Sequence, residues 1–421
     1  MRSDEENWMS TAPYTLITSD THAGGNHKQY REYLDPKYRD EFDEWRGAYS
    51  NPAPEHYGIK KKRNWDLETR TGDQNSQGVV GEVIFPNTVP PFYRKSIVTT
   101  TPPKPEDYER CLAGIQAHNR WLVDFCAESP ERRAGIGLIL PNDLDQAVKD
   151  IEWIAKAGLR GGVLLPLIPE DCYWLKKLYD PAWDRVFAAI QDHDLVMNQH
   201  SGQGLPDYGD GAVAEAIWMS EVAFFCRRGY AHLIMSGAFE KFPKLRYILT
   251  ESGCSWAPQT LQLLDRIHMG ISSGSMGEMY YEGLEWVLKE PPSFYAKRNC
   301  WYGASFPSKA ELEGRDLVGI DKICWGNDYP HYEGTFPYNI ESLRLTFQDV
   351  PEHERRMILG ENAAKLYGFD MDALRPLAEK HGPTPEMLDS GLDPKDIPAD
   401  STCYLFAAAR REQASQQGAQ A

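Results

Sequence analysis

Eight short apolar runs, separated by polar stretches of helical periodicity, constrain this chain more than any other feature. They lie at residues 14–18, 79–85, 134–140, 161–165, 195–198, 247–250, 300–303 and 323–326. Near-continuous apolar runs of this length suit strands covered on both faces, the condition of a parallel sheet. Helix signals stand between them. Asn142-Asp143 opens a segment whose Ala147, Val148, Ile151, Ile154 and Ala155 share one face, and Gly158 relieves its end. Asp180-Pro181 opens another, through Trp183, Val186, Phe187 and Ile190, with proline where its missing N–H is harmless. Eight strands alternating with helices predict an α/β fold: a (β/α)8 TIM barrel, or else a large doubly wound sheet.

The same pattern sets the domain reading. A catalytic barrel is expected over 14–370, interrupted after strand one by a polar insertion at 26–77. A structureless loop of that length does not suit a compact domain, so the insertion should carry helix and cover the barrel mouth. Residues 371–421 form a helical C-terminal extension, expected to be partly disordered where it thins into Ala, Gln, Ser and Gly.

Composition removes several classes of function. The net charge of −17, from 45 Lys+Arg against 62 Asp+Glu, repels nucleic acid and anionic lipid. The one basic run, Lys60-Lys61-Lys62-Arg63, reads as a solvated loop. No apolar stretch reaches membrane-spanning length, and the acidic start MRSDEENWMSTAPY lacks the apolar core of an export signal. Eight scattered cysteines without a C-x-x-C pair fit reduced, buried thiols better than a zinc ribbon or disulfide framework. A cytoplasmic protein acting on a small molecule is the expectation.

Metal-competent side chains stand at the predicted C-terminal ends of several strands, which converge on one face of a barrel. Strand one ends in Asp20-Thr21-His22, strand five in His200, strand six in Glu251, and strand eight in Asp328-Tyr329-Pro330-His331. Asp20 and His22, two apart on a strand, point to the same side. With His200 and Asp328 they offer two imidazoles and two carboxylates, a donor set for one divalent transition metal. Zinc comes first for such mixed ligands, with manganese or iron as alternatives. Glu251 is the first candidate for proton delivery, His331 the second, and Asp328 can serve as ligand and base.

Further segments resemble a known family. Asn119-Arg120-Trp121-Leu122, Ser129-Pro130-Glu131-Arg132-Arg133, Phe242-Pro243-Lys244-Leu245-Arg246, Gly326-Asn327-Asp328-Tyr329-Pro330-His331 and Gly360-Glu361-Asn362-Ala363-Ala364-Lys365-Leu366-Tyr367-Gly368 carry the resemblance. They are similar to the metal-dependent amidohydrolase-related family that includes aminocarboxymuconate-semialdehyde decarboxylase and the resorcylate and carboxyvanillate decarboxylases. The likeness runs over about residues 14–369 and implies a metal-dependent enzyme, and a homodimer or higher oligomer. Two departures stand out: Asp20 occupies the place of the first histidine of a His-x-His pair, and Glu251 replaces a histidine after strand six.

Two reactions share this machinery. Hydrolysis of a small, possibly aromatic or cyclic, substrate through a metal-bound water is placed first; non-oxidative decarboxylation of an aromatic or muconate-type acid is the alternative. A barrel that only binds is the third reading. A decarboxylase needs a cation or donor on the substrate carboxylate, and His56, Arg70 and Arg94 are the candidates, each a surface side chain by default. Trp218, Trp256, Trp301 and Tyr302 are candidates for an apolar pocket wall.

Overall fold

The computed structural model describes residues 11–50, 61–275 and 286–419. All eight expected strands are present: β1 Leu16–Ala23, β2 Val79–Pro86, β3 Arg133–Leu138, β4 Gly162–Leu164, β5 Val196–His200, β6 Arg246–Thr250, β7 Cys300–Ser305 and β8 Ile323–Gly326. They pair in chain order, every neighbour parallel. Closure between the first and last strands is made near their C-terminal ends. The Asp328 amide donates to the Asp20 carbonyl at 3.0 Å, and the His22 amide donates to the Tyr329 carbonyl at 2.7 Å. The fold is therefore a (β/α)8 barrel, with helices between its strands.

Strand alternation divides the apolar side chains into two sets. Ile84, Val163, Met197, Tyr247, Leu249 and Trp325 pack outward against the helices, with Ile151, Ile154 and Phe187 among their partners. Val83, Phe85, Ile136, Leu138, Leu164, Val196, Ile248 and Cys324 alternate with them in a second buried cluster. The expected helices form as their caps dictate. Asp143 accepts from the Asp145 and Gln146 amides ahead of Leu144–Lys156, and Asp180 caps the turn that leads into Asp184–Asp192.

The described part of the insertion is helical, as expected. Helix α1 (His27–Tyr33) opens with a capping box between Asn26 and Gln29, and α2 (Arg39–Ala48) follows. Tyr30 of α1 reaches His118 of α3 (Tyr108–Ala127) at 2.8 Å. A third insertion helix, Leu67–Ser76, capped by Asp66, buries Arg70 and Gln74. At the far end, the chain past residue 370 includes a helix over Tyr404–Ala419, preceded by the buried Cys403. Among the described residues no helix is long and apolar enough to cross a membrane.

Candidate metal centre

Four side chains from β1, β5 and the loop after β8 meet inside the barrel mouth. His22 Nε2 lies 3.3 Å from Asp20 Oδ1 and 3.2 Å from Asp328 Oδ1. His200 Nε2 lies 3.3 Å from the same Asp20 oxygen, and the two imidazole rings meet edge to face at 4.9 Å. All four residues are buried. The chain thus brings Asp20, His22, His200 and Asp328 together from its beginning, middle and end.

Local structure explains this convergence. Strand alternation turns Asp20 and His22 inward while Thr21, between them, donates to the Val83 carbonyl on the other face. At Gly326 an added Cβ would stand 2.6 Å from the Asp20 Cβ, so β8 passes close behind Asp20 only because no side chain is there. His22 Nδ1 faces the Pro86 carbonyl at 3.1 Å, and His200 Nδ1 faces the Ser201 carbonyl at 2.9 Å. With each Nδ1 facing a carbonyl, the Nε2 of both rings points towards the centre.

The charges are arranged to attract a cation. Burial opposes ionisation of Asp20, but His200 and His22 outweigh it and hold the carboxyl well below the usual range. Burial likewise opposes charge on His22, yet Asp20 and Asp328 push its pKa well above normal. Asp328 is lowered against burial by His331 and His22. The Asp328 Oδ2 is nevertheless buried without a hydrogen bond. Buried polar atoms of that kind call for a partner, and two imidazoles with two carboxylates fit a divalent transition ion.

Glu251, at the end of β6, sits at the edge of this group with its Oε2 3.5 Å from His200 Nδ1. Burial, then the Asp328 and Asp20 carboxylates, push its pKa well above the ordinary value. Three carboxyls thus share one site, and Glu251 is the one whose pKa is raised. Both Glu251 and Asp328 hold left-handed backbone, with φ of 57° and 56°. Non-glycine residues adopt that conformation at a cost, and such strain clusters at functional sites.

His331 lies 2.8 Å from Asp328 Oδ1 through Nδ1 and 3.0 Å from Asn87 Oδ1 through Nε2. Its ring stacks on His22 at 4.0 Å. A cleft of about 1340 Å³ is walled by Trp45, Phe92, Arg94, Tyr208 and Trp218 and takes in none of the four candidate ligands. Glu333 belongs both to its wall and to a group with Glu251 and Asp328.

Several expectations need correction. Arg70 is no surface side chain: it is fully buried, and its guanidinium donates to Glu82, Thr21 Oγ1 and the His22 carbonyl. Arg94 does reach the cleft, whereas His56 lies outside the described residues. Of the four aromatic candidates only Trp218 lines the cleft; Trp256, Trp301 and Tyr302 are core side chains. Two contributors escaped sequence reasoning. Ser305 donates to Asp20 Oδ2 from the end of β7, where the strand-end criterion applied to the other strands finds it. Glu82 stands inside an apolar run, and a carboxylate there signals a buried cationic partner.

Fold and site together define a barrel enzyme with a metal-competent centre at its C-terminal face. The amidohydrolase family model matches residues 105–369, and the chain belongs to that family. Solved structures share its architecture. 5-Carboxyvanillate decarboxylase from Sphingomonas paucimobilis superposes with a TM-score of 0.60 at 22% identity, over 85% of this chain and 100% of its own. An amidohydrolase from Mycobacterium avium subsp. paratuberculosis gives 0.62 at 18%, over 84% and 99%. A dihydroxybenzoic acid decarboxylase from Polaromonas, solved with manganese and 2-nitroresorcinol, gives 0.59 at 15%, over 84% and 97%.

Proposed function

We propose that this chain is a metal-dependent carboxy-lyase that removes carbon dioxide from a small aromatic acid. Asp20, His22, His200 and Asp328 would hold one divalent ion. When bound, that ion supplies a positive charge that anchors an acidic substrate and stabilises the negative charge formed as carbon dioxide leaves. Manganese is the first choice, from the manganese-bound decarboxylase of like fold; zinc, the first choice from donor type alone, becomes the alternative.

The observation that carries this reading is the place of Glu251, at the edge of the centre with its Oε2 3.5 Å from His200 Nδ1. Decarboxylation replaces a carboxylate with hydrogen, so the site needs an acid beside the reacting carbon. Burial and the neighbouring Asp328 and Asp20 carboxylates raise the pKa of Glu251, in the direction of that form. Hydrolysis asks the opposite of this position, a base that takes a proton from water. The order inferred from sequence is accordingly reversed, and the decarboxylase structures of like fold support the reversal. His331 orients Asp328 in this scheme, and the cleft at Arg94 and Trp218 admits the aromatic acid.

Hydroxylated benzoates incubated with manganese-loaded protein in deuterium oxide test the proposal. A carboxy-lyase releases carbon dioxide and leaves one deuterium on the carbon that lost it. Turnover of amides, esters or lactones with no release of carbon dioxide from any acid would assign the site to hydrolysis instead.

A further inference from the structure

The loop after β8, residues 327–339, carries Asp328 and His331 and is gripped from two sides. The insertion makes one grip: the Tyr329 hydroxyl donates to Asp73 at 2.7 Å, and the Asn339 amide donates to Gln77 Oε1 at 2.9 Å. The other grip comes from the far end of the chain, more than thirty residues beyond the family match that ends at 369. Thr402 donates through its hydroxyl to the Tyr332 carbonyl, and the Tyr338 hydroxyl donates to Asp400 at 2.7 Å.

Packing reinforces these bonds. Cys403 and Phe406 are both 0% exposed, in a cluster with Phe306 and Tyr338. Phe306 directly follows Ser305, the donor to Asp20, and its amide donates to the Gly326 carbonyl at 2.9 Å. One small apolar cluster therefore touches the loops of both β7 and β8. Arg410 closes the segment on itself by donating to the Pro398 and Ser401 carbonyls.

We propose that residues 400–406 are a positioning strap, holding the β8 loop so that Asp328 stays aimed at the metal centre. The idea rests on the metal reading above. Its physical basis is the cost of the Asp328 position: left-handed backbone and a buried carboxylate close to Asp20. Such an arrangement persists only where its surroundings over-determine it, and partners outside the ligand shell tune metal affinity. Phe406 and Tyr338 act through the loop and are positioning residues rather than catalytic ones. A strap that merely covered apolar surface would contribute to stability and leave metal affinity unchanged.

Manganese affinity, measured by chelator competition on the full chain alongside the melting temperature, separates the two roles. Phe406→Ala is expected to weaken manganese binding roughly tenfold and Tyr338→Phe roughly threefold, while Phe406→Leu restores most of the loss. Should Phe406→Ala fail to fold, Tyr338→Phe, which keeps the ring packing, decides alone. Wild-type affinity in the folded variants, with only the melting temperature lowered, overturns the strap. A wild-type chain that takes up no manganese or zinc overturns the metal reading itself, and the strap with it.

Discussion

Two buried polar clusters lie back to back on β1, and they are built on opposite terms. On the outer face Arg70 donates to Glu82 at 2.7 Å, to Thr21 Oγ1 at 2.9 Å and to the His22 carbonyl at 2.8 Å, while Gln74 adds a further donor to Glu82. Arg133 stands 3.3 Å from the same carboxylate. Every charge there faces its opposite. On the inner face, one residue to either side of Thr21, Asp20 and His22 meet Asp328, whose Oδ2 is left without a hydrogen bond. The first cluster is complete as protein alone; the second, in the proposed reading, would be completed by a cation. The contrast separates structure from function without reference to residue type, since both clusters use a carboxylate and a cationic side chain.

The comparison breaks most sharply at Asp328. Asp328→Asn removes an anion from the inner cluster and should cost turnover roughly 1,000-fold or more, with bound metal lost and melting temperature nearly unchanged. Metal analysis beside a melting curve reads both effects; an active variant ends the ligand assignment. On the outer face the effect should fall on stability instead. Arg70→Met strands Glu82 in the interior and should cost about 3–5 kcal/mol in denaturant unfolding. The double variant Arg70→Met/Glu82→Met should recover part of that loss, and a greater loss in the double variant speaks against a closed pair.

Acid sharpens the same distinction. Burial opposes ionisation of Glu82, but Arg70 and Arg133 lower its pKa to about 2. A depressed carboxylate contributes stability that is present above the ordinary value near 4.5 and is lost as pH falls through about 2. The amount is on the order of 3 kcal/mol. The stability gap between wild type and Glu82→Gln should therefore shrink between those pH values; a gap that does not change with pH excludes the linkage. The smallest effect belongs to Glu251→Gln. That variant should retain its metal and lose roughly 100-fold in rate, the usual worth of a positioned acid. Loss of metal in it would move Glu251 into the ligand set.

Much of this was legible in the sequence because the physics involved is periodic. Eight buried strands advertise themselves as apolar runs, and a (β/α)8 closure sends their C-terminal ends to one place. Asp20, His22, His200 and Asp328 needed only that rule to be grouped. Arg70 was misjudged because exposure is the default for arginine, and nothing local shows that Leu67–Ser76 turns that residue onto the Glu82 of a neighbouring strand. The strap at 400–406 was invisible for a related reason. Its meaning lies in contacts with Tyr332 and Tyr338, 70 and 62 residues away, while its composition resembles that of any polar tail. The pKa of Glu251 likewise depends on distances to Asp20 and Asp328 that a linear reading does not contain.

The most direct measurement is metal content. After loading with manganese and exhaustive dialysis, the wild-type chain should retain about one ion, as a four-ligand site requires, and Asp328→Asn far less. A wild-type chain with no ion, or equal retention in both proteins, would contradict an inner cluster completed by a cation.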